Sequence, residues 1–268
     1  MILPVRIIVA VAFAAIIQVD SAKAGIVIND PVQGPVVGGT VAKKENWPWV
    51  VALLVNGSPV CNATLIAPDA VLTAELCVDR LELGELRVYR DLPGGPDAVG
   101  VSEIIVRPQP AGRSRVNVAV LKLSSKLAGP FAILSTGATD PADGILALAT
   151  VYDLRDRLPA TLLQVAVPVG NQARCAQQYQ EIGKENICAG FIEGGADACQ
   201  GSSGGPLSVH NAKGSKYQIG IVAYGRGCAK PDSFGVYARV SFFADWIKSI
   251  VPSVKFEDGT AEPTPVGR

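Results

Sequence analysis

Short runs rich in valine, isoleucine and leucine recur at 48–55, 60–66, 99–106, 116–123, 162–167, 217–223 and 235–240, separated by turn-forming residues. Runs of this length and spacing predict strands, and a chain built mostly from them predicts an all-β barrel or sandwich. Asn56-Gly57, between the first two runs, supplies the positive φ angles that a two-residue hairpin loop needs. Two stretches depart from the strand pattern. Residues 172–179 read as a short helix capped by Asn171, and 242–251 place Phe243, Trp246, Ile247 and Ile250 at helical spacing. Residues 25–35 are punctuated by Gly and Pro and read as a leader, whereas 252–268 are polar, with Pro263 and Pro265, and read as a flexible tail.

Charge removes some functions. The 268 residues carry 24 basic and 24 acidic side chains, a formal net charge of zero. A nucleic-acid binder needs a basic footprint that this balance does not provide, and nothing steers the chain toward anionic membranes. A hydrophobic fraction of 49% with 18% charged residues predicts a packed core rather than disorder. Residues 1–24 begin with a basic start ending at Arg6, continue through an apolar run at 7–19 and close on Ala22-Lys23-Ala24. This is the layout of a secretory signal peptide, and the apolar run is short for a membrane span. The expectation is a secreted, extracellular protein beginning near Gly25, with no membrane association after cleavage. Export makes Cys61, Cys77, Cys175, Cys188, Cys199 and Cys228 candidates for three disulfides, in pairings that spacing leaves open. Without a CxxC pair, and with His210 as its one histidine, the chain predicts no metal site and no cofactor.

The chemistry concentrates in Asp197-Ala198-Cys199-Gln200-Gly201-Ser202-Ser203-Gly204-Gly205-Pro206-Leu207. A serine between glycines on a tight turn suits a nucleophile, with the N–H groups of Gly201 and Ser203 as an oxyanion hole. This run resembles the DxCQGDSGGPL of the trypsin-like serine proteases. The resemblance extends over 36–251. Val36-Val37-Gly38-Gly39 is similar to the family's mature N-terminus, 72–77 (LTAELC) to its LTAAHC and 117–123 (NVAVLKL) to its DIALLKL. Further on, 224–228 (YGRGC) and 234–240 (FGVYARV) are similar to WGxGC and PGVYTRV. The resemblance implies two six-stranded antiparallel β-barrels at about 36–140 and 141–240, a C-terminal helix at 241–251, and a cleft between the barrels. It also implies the pairings Cys61–Cys77, Cys175–Cys188 and Cys199–Cys228.

Against that pattern the departures matter most. Leu76 stands where the family has its general-base histidine, and Asn117 where it has the aspartate that orients it, so Ser203 alone is retained. A serine hydroxyl is a poor nucleophile without an adjacent proton acceptor. His210 lies seven residues beyond Ser203, on the order of 23 Å away on an extended strand at about 3.3 Å per residue. Ser202 replaces the aspartate that, in the family, pairs with the new N-terminal ammonium after activation cleavage. Pro35 precedes Val36, where an activating protease wants Arg or Lys.

Asp197 occupies the base of the family's primary specificity pocket, and Gly225 and Gly235 keep its walls open. The pocket either grips a basic side chain of a partner or has collapsed around an inherited carboxylate. Asn62-Ala63-Thr64 is an N-glycosylation sequon, where a glycan on Asn62 would hinder access to the cleft.

The resemblance therefore implies a catalytically inactive homologue acting as a binding, decoy, inhibitor or regulatory protein toward an extracellular protein such as a protease or other hydrolase. Protease-like glucanase inhibitors are one branch of that kind. The competing reading is an endopeptidase with Arg/Lys preference and an unorthodox base.

Overall fold

Asn56 and Gly57 both take positive φ, 50° and 79°, and turn strand Val50–Val55 directly back onto strand Ser58–Ala67. The computed structural model in which this hairpin opens the first barrel describes residues 34–90, 98–109, 116–137, 141–155, 160–211 and 213–257. The signal-peptide expectation for 1–24, most of the leader at 25–35 and the end of the chain beyond 257 lie outside the described residues. Strands Ala70–Ala74, Val118–Leu123, Ala98–Val106 and Leu86–Tyr89 continue the ring, which closes back onto Val50–Val55. Every pairing is antiparallel. Closure leaves no edge strand unpaired, and the interior is filled by Val51, Leu53, Leu65, Leu72, Leu86 and Val120, all fully buried.

The second ring runs through Leu162–Pro168, Leu146–Tyr152, Pro206–His210, Lys216–Gly225, Gly235–Arg239 and Asn186–Ala189. A single bridge, Val169 to Ala189, joins its first and last strands. The fold is thus two six-stranded antiparallel barrels. Val165, Val167, Leu207, Ile219 and Tyr237 fill the second interior, together with Val36 from the start of the described chain.

Three short segments couple the barrels. Thr40–Val41, which precedes the first barrel, pairs with Leu163 and Gln164 of the second. Ile133–Ser135, which follows the first barrel, runs parallel to Tyr217 and Gln218. Helix Val240–Ile250 buries Phe243 and Ile247, and its last turn accepts a 3.0 Å hydrogen bond from Lys122 Nζ to the Ile250 carbonyl. A cation at a helix C-terminus meets the negative end of the peptide dipoles, so this bond also favours the helix–barrel contact.

The other helix, Gln172–Gln178, starts at Asn171, whose Oδ1 accepts from the Arg174 N–H at 3.0 Å. The flexible-tail expectation for 252–268 needs correction in its first part. Val254 is buried and Lys255–Glu257 adds a parallel strand to Ile133–Ser135, because that short strand has an open edge to accept it.

Adjacent phenylalanines test where the helix anchors. Phe243 is fully buried whereas Phe242 lies on the exposed side of the helix, its ring under the Arg107 guanidinium. Phe243→Ala should cost about 3–5 kcal/mol in chemical denaturation and Phe242→Ala less than about 1 kcal/mol.

Candidate functional site

The loop carrying Ser203 turns on two glycines in the left-handed region, Gly201 at φ 91° and Gly204 at φ 79°. Gly204 has a second requirement. A Cβ there would lie 2.1 Å from the Asn62 carbonyl oxygen and 2.3 Å from Thr73 Oγ1, so no other residue fits. The loop is tied at both ends. Gly204 N–H donates to the Val222 carbonyl at 2.9 Å, and the Ser203 carbonyl accepts from the Asn62 N–H at 2.8 Å. Ser203 is left half-buried at the mouth of a cavity of about 250 Å³. The N–H groups of Gly201 and Ser203 have no acceptor among the described residues, so the pair expected to form an oxyanion hole is unspent.

Asn62 is the surprise of the site. Its side chain is 0% exposed and its carboxamide is fully engaged: Nδ2 donates to the Gly201 carbonyl at 3.0 Å and the Tyr152 carbonyl at 3.4 Å, and Oδ1 accepts from the Tyr152 N–H at 2.7 Å. The glycosylation expectation is corrected by this geometry. A nitrogen buried and hydrogen-bonded inside the barrel junction has no room for a sugar. The signal was present in the sequence as one amide within the apolar run 60–66.

Leu76 and Asn117 lie on neighbouring segments. The turn Glu75–Cys77 presents Leu76 at 47% exposure into a cleft of about 590 Å³ shared with Tyr179, Tyr224 and Arg226. Asn117 is buried beneath it, its carbonyl accepting from the Glu75 N–H at 3.0 Å and its Nδ2 donating to the Arg107 carbonyl at 2.8 Å. Asn117 Oδ1 is buried without a partner. Cys77, the residue after Leu76, sits under the Ser203 loop, its Sγ 3.0 Å from where a Cβ on Gly204 would stand. The three positions are therefore brought together at the barrel junction. His210 is not. It ends strand Pro206–His210 with its ring 6.4 Å from that of Trp47, and burial and the Lys216 charge hold its pKa below the ordinary imidazole value.

The cavity beside Ser203 is lined by Cys199, Val222, Tyr224, Gly225 and Cys228, and Asp197, one residue before the lining residue Ala198, is not part of its wall. Asp197 is 3% exposed. Its Oδ2 accepts from the Ala229 N–H at 3.2 Å, while Oδ1 has no partner. Across Gly235, where a Cβ would come within 3.2 Å of Oδ1 and 3.3 Å of Tyr237 Oη, the buried Tyr237 hydroxyl is likewise unpartnered. Burial pushes the Asp197 carboxyl up to about 6, despite the backbone N–H groups that favour its charge. Two orphaned oxygens in one buried region are what a hydrogen-bond donor or a cation reaching them would satisfy. Tyr237 carried no motif of its own beyond the FGVYARV match, and its part here depends on which strand face it occupies.

Ser202 is wholly buried and engaged. Its hydroxyl sits between the carbonyls of Pro35 and Cys199, 2.5 and 2.7 Å away, and the Cys199 N–H donates to the same Pro35 carbonyl at 2.6 Å. Disulfides close at Cys61–Cys77 and Cys175–Cys188. The expected Cys199–Cys228 bridge is corrected: both are thiols, in hydrogen-bond contact. Burial first, then the Cys228 hydrogen bond and the nearby Asp197 charge, push the Cys199 thiol up.

Residues 36–247 match the protein-family model described as Trypsin. The chain belongs to the trypsin family. The two barrels, the Ser203 loop at their junction and the cavity beside it are this trypsin-family chain's version of that fold.

Two measurements check the site. The purified protein should carry no glycan on Asn62, and peptide mass spectrometry across 58–67 should find the unmodified mass. Asp197 holds its proton more tightly when folded than when unfolded, so stability should fall as pH rises from about 4 to about 6. Asp197→Asn should flatten that dependence and raise stability at pH 7 by about 3 kcal/mol, read from denaturation midpoints.

Proposed function

We propose that this trypsin-family protein is a secreted, non-catalytic binding protein that takes a basic side chain of an extracellular partner protein into the Asp197 pocket. In this reading Leu76 and Asn117 hold the positions of a lost base and its lost orienting carboxylate, and Ser203 is a retained but unactivated hydroxyl. One observation carries it: neither an imidazole nor a carboxylate lines the cavity that Ser203 lines. The side chain exposed at the neighbouring turn is Leu76, which accepts no proton. General-base catalysis requires a proton acceptor within hydrogen-bond reach of the nucleophile, directly or through one water. His210, packed on Trp47 at the far end of strand Pro206–His210, does not line that cavity and does not meet that requirement.

Binding is supported by the cavity beside Ser203 and by the unpartnered Oδ1 of Asp197, buried one residue before the lining residue Ala198. A lysine or arginine side chain entering there gains a charge-assisted hydrogen bond and relieves a buried orphan carboxylate. The partner class follows from the guest: a protein displaying an exposed Lys or Arg on a loop able to enter the cleft, which a protease or other hydrolase can supply. Secretion is supported by the signal-peptide pattern of 1–24 and by the two closed disulfides, which persist in oxidising compartments.

The purified protein should not turn over N-acyl-arginine esters, and a fluorophosphonate should label Ser203 weakly. The double substitution Leu76→His with Asn117→Asp should raise that labelling at least roughly tenfold by returning a base. Benzamidine should bind the unmodified protein at pH 8 and weaken about tenfold per pH unit below about 6, as Asp197 takes up its proton. Efficient peptide turnover by the unmodified protein, lost in Ser203→Ala, would overturn the reading.

A further inference from the structure

The chain around Val36 is seated as deeply as any core strand while still continuous with the residues before it. Val36 is 0% exposed in the second barrel, and Val36–Val37 pairs antiparallel with Asp197–Ala198, the strand that leads into the Ser203 loop. One residue earlier, the Pro35 carbonyl accepts two hydrogen bonds from that loop, from the Cys199 N–H and the Ser202 hydroxyl. Pro35 Cβ lies 3.5 Å from where a Cβ on Gly201 would stand, and Gly34 runs beside the Arg155–Asp153 ion pair.

We infer that this chain assembles the Ser203 loop and its cavity uncut, through a neutral latch in which the Pro35 carbonyl is held by the Ser202 hydroxyl and the Cys199 N–H. The two ends of the latch match chemically. An intact peptide at Pro35–Val36 offers a carbonyl and no charge, so its partner must be a neutral donor. A carboxylate at position 202 would be buried against a carbonyl oxygen with no proton to share and no counter-charge, which is strongly unfavourable. Serine supplies the hydroxyl. Proline at 35 contributes as well: it has no N–H to leave unsatisfied, and its fixed φ restricts the segment before it docks. Cutting the chain after Pro35 would put a carboxylate and an ammonium where Ser202 offers neither a full partner, so cleavage loosens this loop rather than ordering it. The latch makes the pocket competent as soon as the chain folds. That consequence rests on the binding reading above; the latch does not.

Amide hydrogen exchange on the full-length secreted protein tests it. The Cys199 amide should be protected in the unmodified chain, and N-terminal sequencing should find no end at Val36. Ser202→Ala should speed exchange at Cys199 roughly tenfold, and Ser202→Thr, which keeps a hydroxyl, should stay within about threefold. A rapidly exchanging Cys199 amide in the unmodified chain overturns the latch whatever the variants do, as does equal protection in Ser202→Ala. Benzamidine binding that appears only after a cut at Pro35–Val36 also overturns it. Protection at Cys199 without any benzamidine binding sinks the pocket reading and supports the latch.

Discussion

The buried carboxamide of Asn62 joins three things that must keep their relative positions: the first barrel, the second barrel through Tyr152, and the Ser203 loop through the Gly201 carbonyl. Two closed rings packed side by side have few covalent reasons to hold one orientation, since each ring satisfies its own backbone hydrogen bonds. The junction needs polar contacts that belong to neither ring alone. Asn62 supplies two donors and an acceptor at one buried point, and its backbone N–H holds the Ser203 carbonyl as well. Such a contact contributes modestly when made, on the order of 1 kcal/mol per bond, but its loss leaves several buried groups unpaired at about 1–3 kcal/mol each. That asymmetry makes the junction specific.

Around this junction the chain has replaced charge with neutrality. Leu76 stands at the cleft, Asn117 is an uncharged amide with one unpartnered oxygen, and Ser202 meets an uncharged carbonyl. Asp197 is buried and is itself raised toward neutrality by that burial, while Glu181 and Arg226 line the cleft that Leu76 enters. The cavity that Ser203 lines holds no imidazole and no carboxylate beside that hydroxyl. The same neutrality links the docked Pro35 segment to the pocket, because a loop ordered by uncharged partners needs no newly made terminus to order it.

Much of the fold was legible in the chain. The apolar runs at 48–55, 60–66, 116–123 and 162–167 are barrel strands, Asn56-Gly57 turns the first hairpin, Asn171 caps its helix, and Phe243 and Ile247 anchor the last one. These features depend on neighbours close in sequence or on a simple period, so local pattern carries them. The choice of barrel over sandwich came from motif resemblance, because the pattern of short strands is common to both. The site was half legible. Ser203, Leu76, Asn117 and Asp197 stood out by motif, but Asn62 read as a sugar acceptor, Cys199 and Cys228 as a bridge, and Lys255–Glu257 as loose tail.

Those misreadings share a cause: each depends on what lies opposite a residue far away in the chain. A sequon states that an asparagine is chemically eligible for a sugar, whereas Tyr152 and Gly201, brought across the barrel junction, decide that its nitrogen is occupied. By itself the sequence determined the elements, the family resemblance and the absence of a base at position 76, because residue identity alone settles whether a side chain can accept a proton. Only the tertiary structure decided that a cavity stays open beside Ser203 and that Pro35 meets Ser202. Both rest on distances between atoms 160 or more residues apart or on space left between strands, and neither quantity is written in any single segment.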